Sequence, residues 1–170
     1  MPGNNSWVRA LIIFPMFSPI RIGVVPFDQG VDSALLPEHL AECLRGVRAS
    51  AVEITGNNVT FTGGMFRLVS NWNVLDPFGS GDLAVDADAC MVRYTLNCWQ
   101  LVVVATVMIV FAAAILLASV SDSGGKNLWL LPVLPFMWLW LVGGNLAIGI
   151  PRFKSFVARA VATAPRRVAG

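Results

Sequence analysis

LVVVATVMIVFAAAILLASV, residues 101–120, decides how this chain is read, because it holds no charged side chain. Twenty residues of α-helix cover about 30 Å, the thickness of the hydrocarbon core of a bilayer. A second stretch, LWLLPVLPFMWLWLVGGNLAIGI at residues 128–150, is equally free of charge. A buried helix of a water-soluble domain seldom runs so far without a polar face. The composition agrees: 56% of the 170 residues are hydrophobic and 13% are charged, where about 25% charge is usual. The mean hydropathy is +0.68. The sequence therefore predicts two transmembrane helices, at 99–120 and 128–150, joined by a short loop at 121–127.

So short a connection makes the two helices an antiparallel hairpin with both flanks on one side. Five of the twelve basic residues follow the second helix (Arg152, Lys154, Arg159, Arg166 and Arg167) with no acid among them, whereas the loop holds only Lys126 and Asp122. The positive-inside bias then predicts a multi-pass protein of the plasma (inner) membrane with its N- and C-termini in the cytoplasm. Upstream of Trp99 six bases meet nine acids, and no basic stripe of the kind that binds nucleic acid is present.

The region 21–98 reads as a small α+β domain of one helix and about five strands. Leu36, Leu40, Leu44 and Val47 recur at helical spacing, with Pro37 in the first turn and Gly46 at the end. Val52/Ile54 and Val59/Phe61 alternate around Gly56-Asn57-Asn58, a hairpin signature. Leu83/Val85 and Val92/Tyr94/Leu96 form a second hairpin around Asp86-Ala87-Asp88-Ala89, and further strands are expected at 21–27 and 65–69. Residues 1–20 form an apolar, Pro-rich N-terminal segment. Pro15, Pro19, Arg9 and, just beyond it, Arg21 and Pro26 argue against a spanning helix, and no A-x-A-like site makes it a signal peptide. Cys43, Cys90 and Cys98 are odd in number and lack C-x-x-C spacing, which fits burial or a reducing compartment.

Residues 151–170 form the basic tail. Phe153, Phe156, Val157 and Ala160 recur opposite Arg152, Lys154 and Arg159, the pattern of a short amphipathic helix lying on an anionic leaflet. Arg152, Lys154 and Arg159 are accordingly the expected contacts to anionic lipid headgroups. Gly143 and Ala147, four apart, together with Ala114 and Ala118, form small faces through which the spans could pack on each other or on a partner. Asn145 is the side chain of greatest hydrogen-bonding capacity in either span and the expected intramembrane polar site. Asn71, Trp72 and Asn73 form a candidate recognition patch.

No constellation here carries a reaction. His39 stands without an acid–base partner, and Asp82, Asp86 and Asp88 lack the glycine and terminal glutamate of an EF-hand loop. No cofactor and no metal is expected. The expected function is that of a non-enzymatic interaction or scaffold module, with a membrane-protein partner or a second copy of itself. The alternative is an oligomeric channel or transporter subunit lined by the second span.

Overall fold

The computed structural model describes residues 20–63, 74–75, 77–123 and 130–167. Five strands, β1 (Ile20–Pro26), β2 (Ala51–Thr55), β3 (Asn58–Thr62), β4 (Ser80–Asp86) and β5 (Met91–Asn97), form one antiparallel sheet in the order β1-β5-β4-β3-β2. β1 and β2 follow each other in the chain yet hold opposite edges, and helix α1 (Leu36–Gly46) makes the crossing between them. The β2–β3 hairpin turns through Gly56, whose φ of +59° suits a residue without a Cβ. The β4–β5 turn is braced by the Asp86 carboxylate, which accepts a 3.0 Å bond from the Ala89 N–H.

Alternation along the strands gives the sheet one apolar face. Val25, Val59, Phe61, Leu83, Val85, Val92, Tyr94 and Leu96 are all buried on it. α1 covers part of that face with Leu36, Leu40, Ala41 and Leu44, each at most 1% exposed. The opposite face carries Glu53, Thr60, Asp82, Arg93 and Asn97. On the edge strand β1 it also carries Ile20, Ile22 and Val24, which are exposed.

β5 runs into α2 (Trp99–Ser123) with only Cys98 between them. The second long helix is built from α3 (Val133–Leu139), a π-helical turn (Trp140–Gly144) and α4 (Asn145–Ala162). Together they make one helix, Val133–Ala162, of 30 residues, or about 45 Å. Both long helices are long and apolar enough to cross a membrane. Neither α2 nor the first part of the second long helix is packed as a core helix, because Val107, Val110, Phe111, Phe136 and Trp140 are all more than 60% exposed.

The tail departs from expectation. It is not a separate helix with its apolar face left for lipid. Residues 151–162 continue the second long helix, and Phe153, Val157, Ala160 and Val161 turn into the sheet beside α1 and are buried there. The physical reason is the opening between β1, β3 and α1, which a five-stranded sheet and one 11-residue helix leave uncovered. Phe153 fills it, burying side-chain area worth about 2 kcal/mol in transfer free energy. The α+β domain therefore comprises 20–98 together with the tail.

Candidate functional site

Phe153 is the centre of the junction between the long helix and the sheet. Its ring lies 5.7 Å from Phe61, stacked, and 5.6 Å and 5.4 Å from Phe78 and Tyr94, edge-on. Two glycines make room for those rings. Gly23 stands opposite Tyr94 and Gly81 opposite Phe61 in the ladders, and each ring leans over the position where its partner's Cβ would be. Gly149 lets the long helix approach the loop at Pro77, whose Cγ lies 2.6 Å from where a Cβ would sit.

The tail is also held by polar contacts. His39 Nε2 lies 3.0 Å from the Ala160 carbonyl and 3.2 Å from Thr163 Oγ1. A carbonyl only accepts, so Nε2 carries the proton in this arrangement. Farther on, the Asp32 N–H donates to the Pro165 carbonyl, the Arg167 N–H donates to the Gly30 carbonyl, and Val31 bridges Arg166. His39, which in the sequence had no partner, is thus a tie between α1 and the tail. Its acceptor is a backbone carbonyl 121 positions away, which leaves no mark in the sequence.

The two long helices meet close to the sheet. Ala105, Val142 and Leu146 are buried, and Trp138 Nε1 donates to Thr106 Oγ1 at 3.0 Å, whose hydroxyl donates in turn to the Val102 carbonyl at 2.7 Å. The small residues expected to pack do not meet. Ala114, Ala118, Gly143 and Ala147 are exposed, and a Cβ on Gly143 would touch nothing within 4 Å. Spacing by four puts Gly143 and Ala147 on one stripe of the helix, but the stripe turned towards α2 is that of Val142 and Leu146. Asn145 is exposed as well, and its Nδ2 donates 2.6 Å to the Leu141 carbonyl of its own helix, at the end of the π-helical turn.

Beside this contact an apolar groove of about 400 Å³ opens between the helices and the start of β1, lined by Val102, Trp138, Val142, Leu146, Ile150 and Arg21 among others. Among the described residues that line it, Arg21 is the one that is charged. Gly143 and Ala147 lie along its wall, so the small face of the second span borders a cavity. Neither the groove nor the role of Arg21 was visible in the sequence, where Arg21 counted only as a charge disfavouring a span.

Arg152, Lys154 and Arg159 are exposed on the outer side of α4, and Arg159 Nε donates to the Ser155 carbonyl at 3.2 Å. Asn71, Trp72 and Asn73, like the segment 1–19, the expected strand 65–69 and most of the loop 121–127, lie outside the described residues. All three cysteines are free; Cys98 is fully buried, which pushes its thiol up to about 11 against a smaller opposing pull from Arg21. Comparison with known protein families, with curated proteins and with solved structures finds no match for this chain.

Proposed function

We propose that this chain is a membrane-anchored, non-enzymatic docking module, in which α2 and the first part of the long helix Val133–Ala162 cross the bilayer and the α+β domain stands rigidly on its cytoplasmic surface. One observation carries the reading. A single unbroken helix is apolar and exposed over its first part and becomes a core element of the sheet domain over its last. A helix shared in this way fixes the domain's distance and angle to the bilayer, which suits a scaffold more than a tethered catalyst. The row Ile20, Ile22 and Val24 on the edge strand β1 supports a partner that adds along that edge, since an exposed apolar edge strand offers both backbone groups and side-chain contacts.

Anionic headgroups remain the proposed lipid partner, through fewer residues than the sequence implied. Arg152 and Lys154 follow the span within one turn, whereas Arg159 stands about 13 Å farther along the helix axis than Ile150. The contact is assigned to the first two. The alternative, an oligomeric channel or transporter subunit lined by the second span, draws no support from Asn145, whose amide bonds to its own helix.

The test joins two measurements on the full chain. The protein should stay with membranes through alkaline carbonate extraction. A photoreactive residue at Ile22 should then crosslink to a second protein or a second copy, while one at Glu53 should not. Release by carbonate would overturn the anchoring, and crosslinks no stronger at Ile22 than at Glu53 would overturn the docking edge.

A further inference from the structure

We propose that the groove between the two long helices and β1 is a binding site for one anionic glycerophospholipid, with an acyl chain along the helices and the phosphate at Arg21. Three observations converge on that occupant. The groove is walled by Val102 of α2 and by Val142, Leu146 and Ile150 of the long helix, so its lining is apolar except at one end. From Trp138 to Ile150 the wall extends about 18 Å along the helix, close to the roughly 15 Å depth of one leaflet's hydrocarbon. Its charged end is Arg21, at the level where α2 begins beside the sheet and where Pro151 ends the apolar run.

That order, hydrocarbon first and cation at the aqueous end, matches the anatomy of a phospholipid with negative charge. A zwitterionic headgroup would set its own ammonium beside the guanidinium. Arg21 is already engaged within the protein, but five N–H donors in a fixed fork let an arginine serve a phosphate as well. A soluble phosphate would satisfy Arg21 and leave the apolar wall empty; an uncharged lipid would fill the wall and leave the headgroup unrecognised. The open face at Gly143 admits the chain, since, its own helix backbone aside, no atom of the described residues stands within 4 Å of where its Cβ would be.

The inference rests on the reading of both long helices as spans. It is tested on the full-length protein in micelles by native mass spectrometry, with phosphatidylglycerol and phosphatidylcholine of identical chains offered together and inorganic phosphate offered separately. One phosphatidylglycerol should be retained per chain, with about a tenfold preference over phosphatidylcholine, the scale of one charge-assisted contact. Gly143→Phe, whose Cβ has open space and whose ring would occupy the groove, should abolish retention of both lipids without lowering the melting temperature. Arg21→Gln should equalise the two lipids, and Arg21→Lys should restore part of the preference. Equal retention by wild type and Gly143→Phe, binding of phosphate alone, or crosslinks from a photoreactive residue at position 143 into residues 8–19 instead of lipid would each overturn the site. A chain soluble without detergent would instead overturn the spans themselves, so the two failures are distinguishable.

Discussion

Gly23 lies directly across from Tyr94 in the β1–β5 ladder, and the phenol ring occupies the space that a Cβ on Gly23 would need. The same ring meets Phe153 edge-on at 5.4 Å, so a glycine on the edge strand sets the position of the residue that joins sheet to long helix. Gly23→Val should therefore destabilise the protein by about 2 kcal/mol or more, although valine favours strands, because the overpacked ring has no free direction. Thermal unfolding in detergent measures this, and an unchanged midpoint would refute it.

Phe153→Ala removes a fully buried ring from a cluster with four others, Phe61, Phe78, Tyr94 and Phe156. The expected cost is about 3–5 kcal/mol. Phe156→Ala, at a half-buried position 6.0 Å from Phe153, should cost clearly less. Limited proteolysis should show the sheet domain opening in Phe153→Ala while the two long helices stay protected by the micelle.

Two glycines of the same helix should respond in opposite ways to alanine. At Gly143 the added methyl meets open space, and the helix gains up to about 1 kcal/mol of propensity. At Gly149 the same methyl meets Pro77 Cγ at 2.6 Å, and the loop must shift, so the change is destabilising. Matching melting temperatures for the two variants would refute the assignment of Gly149 as the contact point.

Cys98 links stability to alkaline pH. Its thiol is held at about 11 in the fold, above the ordinary value of 9.0, so the fold prefers the neutral form. The contribution is complete below pH 9, falls as pH rises towards 11, and is gone above it, a change on the order of 2 kcal/mol. Relative to Cys98→Ala, the wild-type protein should lose stability across that window. At neutral pH, alkylation should modify Cys98 only after unfolding, since the thiol is both buried and protonated.

Orientation is open to a direct measurement. With the tail bases on the cytoplasmic side, a membrane-impermeant thiol reagent on intact cells should leave Cys43 unmodified and should modify a cysteine placed at Ser123. Labelling of Cys43 without permeabilisation would reverse the assignment.

Most strands and helices were legible because period-2 and period-3.6 patterns are local: Val92, Tyr94 and Leu96 alternate, and Leu36, Leu40 and Leu44 recur by four. What covers an apolar stripe is not local. Phe153, Val157 and Ala160 form a stripe whether a lipid leaflet or a sheet lies against it, and the charges opposite them do not distinguish the two. The same limit hid the helix contact. Small residues four apart show where close approach is possible, but the rotation of the helix, set by Val142, Leu146 and the Trp138–Thr106 bond, chose a different stripe. Arg21 was read as a local penalty, and its place at the end of a groove depended on helices that begin 78 or more positions later.

Phe153 has a further consequence for the order of events during synthesis. The five strands of the sheet precede both long helices in the chain, yet the ring that fills the sheet's opening lies towards the C-terminal end of the second. When β5 is complete, the domain still has an unfilled cleft over Phe61 and Tyr94, and no local rearrangement supplies what is missing. On the proposed reading of both long helices as spans, closure waits until both have crossed and residues 153–166 have returned to the side of the sheet. A chain in which only one of them crossed would leave those residues across the bilayer and the sheet open. On that reading, completion of the sheet domain reports that both helices have inserted, and proteases that recognise exposed apolar surface would remove the copies that fail.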